Sequence, residues 1–258
     1  MGIYFALLSA AAKRAKSQKL FVLNRKKAFN APSYRNVAGI ADLEFFFGLI
    51  TQFRTSINIG FFDRPLTVGL LAGLMTGQWT QCLGAAIFFE LLWLDLFPAG
   101  TYIPPQRILS TLLVCSTACA LNLTTPYQLL LPILCALPAA HLGTFVEKRL
   151  RQGQTDNHAQ LMTWTDSLQP VAFPGQMIWM SLGKKILCES GLFLLLVMLV
   201  TLFTAAGAFF LPGRISWQFD WTHIWAAALL GGILSVRIRR AYYLLIVGGG
   251  LVTLLFLL

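Results

Sequence analysis

Residues 90–106 read ELLWLDLFPAGTYIPPQ. Two acids, Glu90 and Asp95, and a proline-glycine break interrupt the apolar run AAIFFELLWLDLF that ends at Phe97. A carboxylate facing lipid costs several kcal/mol, so Glu90 must face protein, water or a polar ligand. Broken helices at membrane depth are tolerated where their freed backbone groups line a cavity. Acids and break together therefore mark a polar pocket inside a membrane domain. Asp95 lies five residues beyond Glu90, about 140° around a helix, so the two acids do not share a face. A paired-carboxylate glycosidase arrangement is thereby excluded. Asp95 caps the Pro98-Ala99-Gly100 turn, reaches the interface or joins the pocket.

The rest of the chain supports a membrane setting. Of 258 residues 57% are hydrophobic and only 12% charged, against about 25% charged in a soluble domain. The expected fold is all-α: a polytopic membrane protein with six to eight helical membrane segments, including a re-entrant or broken-helix hairpin. Spans are expected at 45–62, 105–121, 126–146, 186–211, 221–236 and 241–258. The apolar stretches 66–77 and 81–97 read as the hairpin, because a dozen residues fall short of the roughly 20 needed to cross alone. Pro65 suits the first turn of a new helix.

Residues 1–38 stand apart. Eight basic residues precede the first acid, Asp42. With no recognition motif beside them they mark a cytoplasmic segment and not a nucleic-acid binder. The apolar stretch precedes its charges, the reverse of a secretory signal. The tail is disordered or interfacial, or translation starts downstream near Val37 or Leu43. Residues 39–258 form the membrane domain, with a cytoplasmic surface segment at 147–172. The tail and the basic clusters at 148–151 and 237–240 are expected on the cytoplasmic side.

Gly69, Gly73 and Gly77 form GxxxGxxxG on one helix face, a helix-packing stripe. The five cysteines lie in apolar runs and read as small hydrophobes; no His or carboxylate pattern completes a metal site. No nucleophile–base pair, phosphate loop or cofactor motif is present, and no ring of charges suggests a channel.

FFDRPLTVGLLAGLMTG, then LGAAIFFELLWLDLFPAGTYIPP, then ILSTLLV, resemble the IIC membrane subunit of mannose-family sugar phosphotransferase permeases. The close likeness covers about residues 60–115. It implies a subunit of the bacterial inner membrane that binds and translocates a hexose-like sugar. The implied partners are a IID membrane subunit and cytoplasmic IIA and IIB subunits, which carry the phosphoryl chemistry, so this chain is not catalytic by itself. An oligomeric assembly is also implied.

Glu90 matches the family's intramembrane glutamate. Gln78 and Gln106 stand where the family usually has aspartates, and amides still hydrogen-bond sugars. Candidate sugar-binding residues are thus Glu90, Gln78, Gln106 and Asp95. Arg107 either pairs with Asp95 or reaches the interface. The alternative reading is a diverged, non-transporting membrane partner that assembles with or regulates such a permease.

Overall fold

The computed structural model describes residues 34–56, 63–94, 96, 103–166, 174–210, 220–235, 242–243 and 245–248. Seven helices carry it: α1 Tyr34–Ser56, α2 Pro65–Thr76, α3 Trp79–Leu92, α4 Arg107–Leu121, α5 Pro126–Asp166, α6 Pro174–Phe210 and α7 Trp221–Ser235. Among the described residues there is no strand. Parts of α5 and α6, Pro126–Gly153 and Trp179–Gly207, are long and apolar enough to cross a membrane. By contrast, α2, α3, α4 and α7 have 12 to 15 residues. At 1.5 Å per residue they reach only about 18–23 Å, short of the roughly 30 Å hydrocarbon core.

Helix α2 starts where its sequence allows. Arg64 is extended and Pro65 supplies a fixed φ at a position whose N–H would have no intrahelical partner. It stops at Gly77, whose φ of 73° is left-handed and whose N–H reaches the Gly73 carbonyl at 2.9 Å. Helix α4 stops in the same way at Asn122, φ 49°. A Cβ at Gly77 would meet no neighbour within 4 Å, so only the backbone conformation resists substitution. Gly77→Ala is expected to cost about 1 kcal/mol, with Gly77→Asn costing less, as read from thermal melts of the purified protein.

Only Gln78 separates the Gly77 cap from α3, and α2 folds back on α3 as an antiparallel pair. A Cβ at Gly69 would strike the Ala86 Cβ and lie 2.9 Å from the Cys82 carbonyl; one at Gly73 would touch Trp79 and Cys82. The glycine stripe therefore divides by role: two positions permit close packing and the third turns the chain. The expected hairpin is present, and its third glycine is a cap and not a packing residue.

Helix α4 is the axis of the molecule. Every residue from Arg107 to Ala120 is buried, and α1, α2, α3, α5 and α6 all pack on it. Three of its four hydroxyls spend themselves locally: Ser110, Thr111 and Thr117 donate to the carbonyls four residues back at 3.2, 3.0 and 2.8 Å, while the Ser116 hydroxyl is buried with no partner among the described residues. α7 packs alongside α3, with Trp225 Nε1 donating to the Gly84 carbonyl at 3.0 Å.

The long helices depart from expectation. Helix α5 runs unbroken from Pro126 to Asp166, so the expected surface segment at 147–172 begins as a prolongation of the span. Glu147, Lys148, Arg149 and Arg151 suit a helix well, and Arg151 pairs with buried Glu147 at 2.6 Å. The change in polarity at 147 marks a change of surroundings, not of backbone. Helix α6 likewise starts at 174, ahead of the expected 186. α1 begins at 34, inside the segment expected to be tail, and its described part ends at 56. Residues 1–33, the Pro98-Ala99-Gly100 turn, Asp95 and residues 237–240 lie outside the described residues.

Packing fixes the relative directions. Gly48 faces Ser190, Phe47 stacks on Phe193 at 4.5 Å and Ala41 shares a cleft with Thr201, so α1 is antiparallel to α6. The start of α1 thus lies at the end of the bundle opposite the 148–151 cluster. α7 points its exit toward the 148–151 end.

Candidate functional site

At the end of the bundle where α2 begins, α3 ends and α4 begins, four charges alternate. Arg64 Nη1 donates to Glu90 Oε1 at 2.9 Å, and Arg107 Nη2 donates to Asp63 Oδ2 at 3.5 Å. The antiparallel hairpin is what brings Arg64, just before α2, beside Glu90 in the last turn of α3. Asp63 and Arg64 are consecutive, so one turn ties α3 and α4 together through opposite charges. Thr67 holds this turn, donating to the Arg64 carbonyl at 2.8 Å.

Helix electrostatics alone would not choose this arrangement. A carboxylate is disfavoured at the negative end of a helix and a guanidinium at the positive end. Glu90 sits near the C-terminus of α3 and Arg107 is the first residue of α4. Both are also largely out of solvent, with side-chain exposures of 12% and 6%. Each is therefore adverse until its partner is counted. The Asp63-Arg64 turn offsets both at once, and the cluster carries no net charge.

Glu90 is not fully used by its ion pair. Its Oε2 is buried and has no hydrogen-bond partner among the described residues. Beside Arg107, Gln106 is 3% exposed. Its N–H reaches the Ala140 carbonyl at 3.3 Å and its side chain lies against Gly143 with no room for a Cβ between them. Thr144 donates to the Pro104 carbonyl at 3.2 Å, fixing the proline segment on α5. Glu90 and Gln106 thus lie at one end, framed by two arginines and an aspartate.

Gln78 lies elsewhere. It precedes α3 while Glu90 is near its far end, twelve residues or about 18 Å along the axis. Its Oε1 is buried without a partner among the described residues, and Gln81 beside it donates to the Thr124 carbonyl at 3.0 Å. The structure therefore brings Glu90 and Gln106 to one end and leaves Gln78 at the other. Asp95 lies outside the described residues. Arg107, expected to meet Asp95 or the interface, is held by Asp63.

Asp63 and Arg64 were not among the candidates read from sequence. Nothing local ties Arg64 to a charge 26 positions further on, or Asp63 to one 44 positions on, and only the helix packing pairs them. The one available signal is an opposite-charge dipeptide directly before a helix-starting proline.

Residues 40–210 match the family described as the sorbose-specific IIC component of the PTS system. No curated protein and no solved structure matches the chain.

Proposed function

The chain belongs to the PTS sorbose-specific IIC component family, whose match covers residues 40–210 of its 258, and from that we propose that its charged end is a sugar-binding site. Membership makes it a multi-pass membrane subunit of a phosphotransferase permease. The finer reading is that it binds a hexose-like sugar at Glu90 and Gln106 and passes it across the inner membrane. Cytoplasmic IIA and IIB subunits then phosphorylate the sugar, and a IID-type subunit completes the membrane part.

The observation that carries this reading is the divided state of Glu90. Arg64 holds Oε1 and so fixes the carboxylate in place, while Oε2 is buried with nothing among the described residues to accept from. A sugar hydroxyl is a donor that such an oxygen lacks, and a charged acceptor makes a stronger hydrogen bond than a neutral one. The Gln106 amide, against Gly143 at the same end, supplies both donor and acceptor character. Gln78, at the far end of α3, takes no part at this end. Asp95 stays a candidate by resemblance alone.

Thermal melts of the purified chain with its membrane partner, over a panel of hexoses, ketoses including sorbose, and amino sugars, test the proposal. One sugar at 100 times its Kd should stabilise the protein by about 2.7 kcal/mol. Glu90→Gln should remove that response while leaving the unliganded melt close to wild type. An assembled complex that answers to no sugar would favour the non-transporting partner instead.

A further inference from the structure

Ala136, Ala139, Ala140 and Gly143 follow one another at helical spacing on α5, and all four are buried. Ala140 and Gly143 both meet Gln106 at the start of α4. Alanines suffice for close packing, and glycine weakens a helix interior relative to alanine, so position 143 has a further reason to be bare. A Cβ there would overlap Gln106 Oε1 and lie 3.1 Å from Leu109 Cδ1 and 3.2 Å from Gln106 Cβ. Gly84 and Gly207 make room for Trp221 and Leu131, apolar side chains that only pack. Gly143 makes room for the end of an amide.

The Gln106 backbone is tied on every side. Its N–H reaches the Ala140 carbonyl at 3.3 Å, and its carbonyl accepts from the Ser110 N–H at 3.3 Å and the Ser110 hydroxyl at 3.2 Å. Two residues earlier, the Pro104 carbonyl is held by Thr144. The buried amide, by contrast, makes no hydrogen bond among the described residues, and a buried polar group left unused is costly. Its oxygen lies against Gly143, so the NH2 is the end available to a ligand. At the same end of the bundle Glu90 Oε2 accepts nothing among the described residues. An available donor and an available acceptor are what sugar hydroxyls, which do both, satisfy.

We infer that Gly143 is a positioning residue of the sugar site: by lacking a side chain it seats the Gln106 amide against α5 and sets the gap between the Gln106 NH2 and Glu90 Oε2 that the sugar fills. This role rests on the sugar reading of Glu90 and Gln106, and adds to it a residue that touches no sugar. The ligand so selected offers neighbouring hydroxyls, one donating to Glu90 and one accepting from Gln106. Alanine at 143 would not force α4 and α5 apart, because the atom in its way is the far end of a flexible side chain. The amide would swing out of place instead, while the Gln106 backbone stays fixed. Selectivity is thereby set from α5, a helix that carries none of the candidate sugar-binding residues.

Melting and sugar affinity, measured side by side on the full chain with its membrane partner, test this role, using whichever sugar of the panel stabilises the wild type. Gly143→Ala should leave the unliganded melt close to wild type and weaken that sugar about tenfold, the size of one hydrogen bond. Gln106→Ala should weaken it similarly. Adding Gly143→Ala to Gln106→Ala removes the crowding and should change affinity by less than about twofold, since no amide is left to displace. Gln106→Asn, one methylene shorter, should regain part of what Gly143→Ala loses. Gly153→Ala, further along α5 where a Cβ meets nothing within 4 Å, should leave sugar binding unchanged. The role is overturned, with the sugar reading intact, if the wild type binds a sugar and Gly143→Ala binds it equally well. It is overturned in the same way if the losses from Gly143→Ala and Gln106→Ala add, or if Gln106→Asn regains nothing. A wild type that answers to no sugar overturns both.

Discussion

Alanine at position 69 is expected to destabilise the protein by about 2–3 kcal/mol, even though alanine favours helix over glycine by about 1 kcal/mol. The new methyl would strike the Ala86 Cβ and come within 2.9 Å of the Cys82 carbonyl. Neither obstacle is the end of a flexible side chain, so α2 and α3 must move apart as whole helices. That motion also separates Arg64 from Glu90, and sugar binding should weaken together with stability. Gly191→Ala is the matched control: it is exposed in the middle of α6 and a Cβ there meets nothing within 4 Å, so helix propensity alone should decide and the protein should gain slightly. Gly69→Ala/Ala86→Gly should recover only part of the loss, because the Cys82 carbonyl remains. Denaturant titrations of the four proteins in one detergent separate these outcomes.

Removing Asp63 should hurt more than removing its partner. Asp63→Leu leaves the Arg107 guanidinium, 6% exposed, at the positive end of α4 with its described countercharge gone, and is expected to cost about 3–5 kcal/mol. Arg107→Leu leaves Asp63, which is 30% exposed and can rehydrate, so about 1 kcal/mol is expected once solvent screening is allowed for. The double replacement should fall well below the sum of the two, since an apolar pair of similar volume often substitutes for a buried ion pair at little cost. A double-mutant cycle on unfolding free energy reads the coupling directly. Equal single-mutant losses would show that burial does not govern this pair.

The short helices were legible in the sequence because their ends are written in residues with a fixed local meaning. Pro65 starts α2 and Gly77 ends it, and the expected segments 66–77, 105–121 and 221–236 lie within two residues of α2, α4 and α7. The long helices were misjudged at their polar ends. Glu147 to Arg151 read as the start of a separate surface segment because they are charged, although those residue types form good helix and continue the span. Glu90 was readable as a candidate because an acid in an apolar helix demands a partner, and Gln106 only through the resemblance. Their setting was not. The pairing of Asp63 with Arg107 and of Arg64 with Glu90 depends on two helices folding back to one end. The separation of Gln78 from Glu90 likewise required knowing that α3 is straight between them.

The complete burial of α4 bears on how the protein is made. Arg107, Ser110, Thr111, Ser116 and Thr117 give it poor grounds for leaving an aqueous channel for lipid one helix at a time. Its burial also depends on α6, which emerges from the ribosome more than fifty residues later. Until then α4 waits beside α1, α2, α3 and α5 with one side uncovered. The central helix is therefore among the early ones to be synthesised and among the last to be enclosed, and a nascent chain halted before residue 174 should be a substrate for membrane quality-control proteases and not a stable intermediate.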